Sequence, residues 1–172
     1  MEAKLLTDKS RLQEIYDLRV TAYEHSPYAG YVNRQNYPRG YFDELDSRDS
    51  TCHWIVEDER QIVGAVRVAV IYDLKDMHEN LDDLPLPEVR PFAYCGRTAV
   101  HPQYRGKQVI TYLDHAVKQF LVDNPWLKFA LCCLIPERID AVQRLGFRHI
   151  GDITYDWGME NKTMLGAFVR AT

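Results

Sequence analysis

An α/β fold built on a mixed sheet is what this sequence predicts, and three observations carry the expectation. Apolar residues recur at helical spacing twice, as Leu12, Ile15, Tyr16 and Tyr23, and as Val109, Leu113, Ala116, Val117 and Phe120. Two strand-like stretches, CHWIVE and QIVGAVRVAVIYD, flank the charged turn Asp58-Glu59-Arg60, an arrangement that favours an antiparallel hairpin. The run KFALCCLI is continuously apolar, as expected of a strand covered on both faces. A chain of 172 residues with 46% hydrophobic content can bury a sizeable core, so one domain over residues 1–172 is expected.

The elements follow in order. Ala3 to Leu6 open the chain as a strand, and Ser10-Arg-Leu-Gln13 fits a capping box, which predicts a helix start there. The helical spacing puts Arg19 on the apolar stripe of that helix rather than on its solvent side. From Ser26 to Ser50 the pattern is irregular and rich in Tyr, Gly, Pro and Asn, ending in YFDELDSRDS; it reads as a functional loop or short helices over a site. After the hairpin, Leu74 to Pro91 is punctuated by Pro85, Pro87 and Pro91 and reads as an extended surface loop. PFAYCGRTAVHP is another strand, followed by a basic turn and the second helix, which Asn124-Pro125 stops. Beyond KFALCCLI come a short helix in ERIDAVQRLGF and strands in FRHIGDITY and MLGAFV. No internal repeat or low-complexity tract interrupts this order.

Charge and cysteine usage exclude several functions. With 21 basic against 25 acidic residues the net charge is -4, which provides no general field for nucleic acid or an anionic membrane. Any anion recognition must be local. No apolar run approaches a membrane span, and MEAKLLTDKS lacks the apolar core of a signal peptide, so a cytoplasmic location is expected. Cys52, Cys95, Cys132 and Cys133 make no CxxC spacing, and the adjacent pair would point to opposite faces of a strand. They read as small apolar core residues. No third ligand is spaced to join His53 and His101, so no metal is expected.

The stretch VHPQYRGKQVITYLDHAV runs a strand end into a tight basic turn and then a helix. A helix start presents unpaired amides and the positive end of its dipole at one spot, a natural phosphate cradle. Gly106 allows close backbone approach or positive φ, and Arg105 and Lys107 add charge. An ordinary exposed turn is the plainer alternative.

AVHPQYRGKQV resembles the acyl-CoA-binding segment of the GNAT N-acyltransferases, whose pattern is Gln or Arg, two residues, Gly, one residue, Gly or Ala. Gln103 and Gly106 match, whereas Gln108 stands where the second small residue belongs. RLGF near the end of the last helix is similar to the family's KLGF. The resemblance implies a GNAT-like fold of α+β type, a mixed, mostly antiparallel sheet with helices on both faces. It implies acetyl-CoA or another acyl-CoA as co-substrate. The strand Cys95 to Val100 would splay from KFALCCLI, leaving backbone groups at Thr98, Ala99 and Val100 for the pantetheine arm. Residues Arg105, Gly106, Lys107, Gln108 and Val109 would hold the diphosphate. An amine would attack the thioester carbonyl, and a backbone N–H on the splayed strand would stabilise the oxyanion.

Arg67 and Arg97 interrupt strands that look central, as Arg19 interrupts its helix. An unpaired charge there is costly, so each should meet a carboxylate, a substrate or water. Asp43 and Asp46, spaced i and i+3, are the obvious partners. Both a structural ion-pair network and a substrate-binding cluster fit this pattern. LRVTAY, FDELDSRDS, VGAVRV and GRTAV are also similar to features of acyl-homoserine-lactone synthases and N-acyl amino acid synthases, with Arg19, Tyr23, Asp43, Asp46, Arg67 and Arg97 at the matching positions. That likeness implies a longer acyl chain, an amino-acid-like acceptor and acyl carrier protein as an alternative donor. Where those synthases place a proton-accepting Glu, this chain has Tyr94. Where many acetyltransferases place a Tyr as acid for the leaving thiol, it has Val142. Tyr94 acting through water, or an amine arriving neutral, are the two routes this leaves.

The function expected first is therefore N-acyl transfer from a CoA thioester to a small amine, with Tyr94 and Arg97 as catalytic residues. An N-acyl amino acid or autoinducer-type synthase and a catalytically silent acyl-CoA-binding domain are the alternatives. The Tyr-rich stretch SPYAGYVNRQNYPRGYF suits an aromatic acceptor cleft, loop packing or a homodimer surface equally. A hydrolase lacks its GxSxG elbow.

Overall fold

The structure is a computed structural model that describes residues 1–77, 79, 81–157 and 162–171. Residues 78 and 80 of the expected Leu74 to Pro91 loop lie outside this description. Seven strands form one mostly antiparallel sheet: β1 (Ala3–Leu5), β2 (Thr51–Asp58), β3 (Gln61–Ile71), β4 (Phe92–Val100), β5 (Phe129–Leu134), β6 (Arg148–Asp156) and β7 (Lys162–Ala171), in the order β1-β2-β3-β4-β5-β7-β6. Among the described residues three α-helices, α1 (Leu12–Glu24), α2 (Val109–Asp123) and α3 (Ile139–Arg144), accompany them. Among the described residues, no helix is long and apolar enough to cross a membrane. The chain divides into two compact units, Met1–Val68 with Arg97–Val117, and Ala69–Gly96 with Lys118–Thr172.

In the first unit, Ile15, Leu18 and Ala22 of α1 pack with Ile55, Ile62, Ala65 and Ala99 in one buried cluster. The helical period that placed Arg19 inward is borne out, since Arg19 is 0% exposed. The expected capping box at Ser10 is not. Asp8 caps a preceding 3-10 turn, Lys9–Arg11, by accepting from the Ser10 amide, and α1 begins at Leu12. The Gln13 side chain donates instead to Asp17 and to the Arg39 carbonyl. An Asp two residues upstream takes the Ser10 amide that the Gln13 side chain would accept in a capping box. A true capping box forms at Asp43 and Asp46, around the 3-10 helix Glu44–Ser47. Glu59 and Arg60, both at positive φ, make the two-residue turn between β2 and β3.

In the second unit, β5 is buried residue after residue from Phe129 to Cys132, which is why it reads as an unbroken apolar run. It pairs antiparallel with β7 along its whole length, from Phe129 opposite Ala171 to Leu134 opposite Gly166. Its parallel pairing with β4 is short: Ala93 opposite Ala130 and Tyr94 opposite Leu131. Beyond Leu131, then, β5 keeps a partner on its β7 side only among the described residues. Phe92 and Phe129 stack at 4.6 Å beside that short ladder. The loop after β3 has one 3-10 turn, Leu74–Asp76, and is otherwise irregular where described, as its prolines predict.

Candidate active site

The basic turn is assembled within the first unit. His101 ends β4 and caps the 3-10 turn Pro102–Tyr104, its backbone amide bonding to the Val63 carbonyl at 2.9 Å. The chain then passes through Gly106 at φ +78 and Gln108 at φ +61 before α2 starts at Val109. The first helical bonds are made by Thr111 and Tyr112 to the Gln108 carbonyl. The amides of Gln108, Val109 and Ile110 lie ahead of them, in the first turn where an α-helix has no internal partner for its N–H groups. A Cβ built at Gly106 meets nothing within 4 Å, so the backbone there faces open space. The two basic side chains behave differently from a simple clamp. The Arg105 guanidinium donates to the carbonyls of Ala22 and His25 at 2.8 and 2.7 Å, closing the C-terminal end of α1. Lys107 lies over the Tyr104 ring, whose hydroxyl donates to Asp58 at 2.6 Å. Val109 is buried and fixes the helix start, with Gly64 leaving room for its side chain.

The strand before the turn carries its own irregularity. Arg97, in the middle of β4, has φ +57, a left-handed conformation rare for a residue with a side chain. Thr98, Ala99 and Val100 follow, with Ala99 packed into the core so that its main chain alone can serve a ligand.

The three inward arginines meet two carboxylates. Arg19 holds Asp46 with two bonds of 2.8 Å and donates also to the Tyr41 carbonyl. Arg67 bonds Asp43 and lies 3.1 Å from Asp46; Arg97 bonds the other Asp43 oxygen at 2.8 Å and the Tyr41 hydroxyl. Arg19, Asp46 and Arg67 are essentially inaccessible, whereas the Arg97 side chain retains 11% exposure. Burial alone would raise both carboxyls, but Arg19 and Arg67 hold Asp46 well below the usual carboxylate range, and Arg67 and Arg97 do the same for Asp43. Both stay ionised. His53 Nε2 donates to the Asp46 carbonyl at 2.9 Å, and burial pushes its pKa below the ordinary value. Tyr23 sits edge-on to Tyr41 at 5.8 Å.

Tyr94 belongs to the second unit. Its hydroxyl donates to Glu79 Oε1 at 2.5 Å. Cys95 of β4 and Cys133 of β5 are kept as neutral thiols by burial, Cys95 being pushed up to about 12. All four cysteines are free; Cys95 and Cys132 are buried as core residues, whereas Cys52 and Cys133 are only partly buried, and no metal-binding cluster of His, Cys, Asp and Glu occurs among the described residues.

Residues 12–147 match the model of the acetyltransferase (GNAT) family. The chain belongs to that family. Solved structures with the same fold include the CoA-dependent acyl-homoserine lactone synthase BjaI, solved with SAM and isopentyl-CoA, at TM-score 0.73 and 15% identity, covering 99% of this chain and 83% of that one. The N-acyl amino acid synthase FeeM from uncultured soil microbes has TM-score 0.65 and 12% identity over 98% of this chain and 89% of its own. Escherichia coli ElaA gives TM-score 0.66 and 18% identity over 99% of both chains. A search of curated proteins finds no match.

Membership makes the protein a GNAT-type N-acyltransferase, and the family's co-substrate is an acyl-CoA. The turn before α2 fits that group: amides at a helix start, a glycine at positive φ and open space beside it are what a diphosphate needs. Sequence reasoning placed Arg19, Arg67, Arg97, Asp43 and Asp46 together correctly, because charges on apolar faces have few ways to be satisfied. It missed Tyr41, which touches both Arg19 and Arg97, and Glu79, which holds Tyr94. Both come from irregular segments where no periodicity marks an inward side chain; the one available signal for Tyr41 was its place two residues before Asp43.

Proposed function

We propose that this enzyme moves an acyl group from an acyl-CoA thioester to the amine of a small acceptor, with acetyl-CoA as the first donor and longer acyl chains admitted. The observation that carries this reading is the turn ahead of α2, where Gly106 at φ +78 opens onto free space beside the first helical amides. On this reading Gly106, Lys107, Gln108 and Val109 receive the diphosphate, with Arg105 tying the turn to α1. The main chain of Thr98, Ala99 and Val100 accompanies the pantetheine arm. The protein contributes position and preorganised donors rather than a covalent step.

One observation favours an amino-acid-like acceptor. Arg97, bonded to Asp43 and to the Tyr41 hydroxyl, is the most exposed of the three inward arginines, its side chain keeping 11% exposure. A carboxylate on the acceptor would find a planar, two-pronged donor in that guanidinium. That supports a synthase of N-acyl amino acids or of an autoinducer type, for which acyl carrier protein is the alternative donor. A carrier protein offers a single phosphate, so the turn suits CoA better.

Calorimetry with CoA, and thiol release from acetyl-CoA, decanoyl-CoA and an acyl carrier protein against a panel of amines and amino acids, test the reading together. Heat on CoA addition with release from an acyl-CoA supports it. CoA binding without turnover of any pair would mark a silent acyl-CoA-binding domain instead, and turnover confined to the carrier protein would mark the synthase route.

A further inference from the structure

The Arg105 guanidinium reaches from the turn ahead of α2 to the last turn of α1, within the first unit. It donates to the Ala22 carbonyl at 2.8 Å and to the His25 carbonyl at 2.7 Å, partners 83 and 80 positions away in the chain. Neighbouring carbonyls of that turn are met locally, Thr21 by the His25 ring at 2.9 Å and Tyr23 by the Ser26 hydroxyl at 2.6 Å. Two carbonyls three positions apart at a helix C-terminus suit a planar, positively charged fork. The same helix holds Tyr41 by three contacts. The Tyr41 amide donates to the Tyr16 carbonyl at 3.0 Å, its carbonyl accepts from Arg19 at 3.2 Å, and its ring meets Tyr23 edge-on at 5.8 Å. Tyr41 in turn carries Arg97, whose guanidinium donates to the Tyr41 hydroxyl and lies 4.3 Å from the ring centroid. One continuous set of contacts therefore runs from the turn, through α1, to Arg97.

We propose that Arg105 is a positioning residue that links the CoA turn to acceptor recognition: a diphosphate held from Gly106 to Val109 steadies the end of α1 through the Arg105 fork, and with it Tyr41 and Arg97. The proposal rests on the acyl-transfer reading above. Gly106 follows Arg105 directly, so a ligand that fixes the turn also fixes the base of the fork. The two bonds of that fork lie toward the surface, where a helix end opens at little cost. A ligand that binds the closed form better than the opened one raises that cost by the difference in affinity. A phosphate clamp at position 105 would need a positive charge alone. The link to α1 needs both prongs of a guanidinium, which a lysine cannot supply.

The test compares wild type with Arg105→Lys by amide hydrogen exchange over the last turn of α1 and the loop after it, with and without CoA. CoA affinity by calorimetry and thiol release from acetyl-CoA against the twenty amino acids are measured alongside. In wild type, CoA is expected to slow exchange there by about tenfold. Arg105→Lys keeps the charge, so it should bind CoA within about twofold of wild type, yet lose that CoA-dependent slowing. For the amino acid acylated fastest, its KM should rise about tenfold while kcat changes by less than about threefold. Exchange that is faster in Arg105→Lys by the same factor with and without CoA would reduce Arg105 to a helix cap and overturn the proposal. So would a variant that loses CoA affinity but keeps the slowing and the acceptor KM, since Arg105 would then be a phosphate clamp; in both cases acyl transfer stands. No heat from CoA in wild type would overturn the proposal and the acyl-CoA reading together. An Arg105-dependent slowing with no amino acid acylated would sustain the link and overturn the amino-acid-like acceptor instead.

Discussion

Asp46 is 1% exposed and bonded to two guanidiniums, so its charge is required by what surrounds it. Asp46→Asn keeps the volume and removes the charge, leaving Arg19 and Arg67 with one carboxylate fewer in a site that water does not reach. Urea unfolding should show a loss of about 3–5 kcal/mol. An unchanged midpoint would mean the network is better solvated than its burial implies. The arginines of this network were legible one by one, since each breaks an apolar pattern at a place where an unpaired charge is too costly to persist. What the pattern left open was whether their partners were internal or a substrate. The structure pairs all three with Asp43 or Asp46, and Arg97 is the most exposed of them at 11%. Arg97 at φ +57 was not legible, because left-handed backbone at a residue with a side chain leaves no mark in composition or spacing.

The junction of β4 and α2 depends on two glycines for different reasons. Gly106 has φ +78, so Gly106→Ala is expected to cost about 1 kcal/mol through backbone conformation alone. It should also weaken CoA binding, because the methyl enters the space beside the helix amides; calorimetry and a thermal melt separate the two effects. Gly64 lies on β3, where an added Cβ would run into Val109 and approach Leu113 Cδ1 at 3.4 Å. Gly64→Ala should therefore push against the first turn of α2, destabilise by about 1–3 kcal/mol and lower CoA affinity without touching the turn itself. If Gly64→Ala binds CoA as wild type does, the start of α2 is not what positions the ligand. Helix and strand periods, turn glycines and the proline-marked loop were all visible in the sequence. The start of α1 was misjudged by its cap: Ser10 to Gln13 reads as a capping box, whereas Asp8 takes the Ser10 amide and a 3-10 turn precedes the helix.

Stability against pH is a property of the whole molecule, and His53 should dominate it near neutrality. Burial holds its folded pKa below the value of about 6.5 expected when unfolded. Between those two values the unfolded chain binds the extra proton, so stability is complete above about pH 6.5 and falls as pH drops toward the folded pKa, by at most about 1.4 kcal/mol per pH unit. Asp43 and Asp46, held below their ordinary range, bring a second loss below about pH 4, as the unfolded carboxylates protonate first. Urea midpoints from about pH 7.5 to 5 should decline for wild type and flatten in His53→Gln. A wild-type midpoint that holds steady across that interval would show that His53 is charged in the folded state.

The chain by itself determined its strands and helices, the mixed sheet, the glycine turn ahead of α2 and the need of three arginines for carboxylates. Periodicity and charge are local properties, and each residue's cost of burial can be read from its neighbours in sequence. Only the tertiary structure decided that the Arg105 guanidinium closes α1, that Tyr41 joins Arg97, and that Glu79 holds Tyr94. Those contacts link irregular segments across 15 to 83 positions of chain, and long-range hydrogen bonds between non-periodic residues are set by how the sheet brings the loops together.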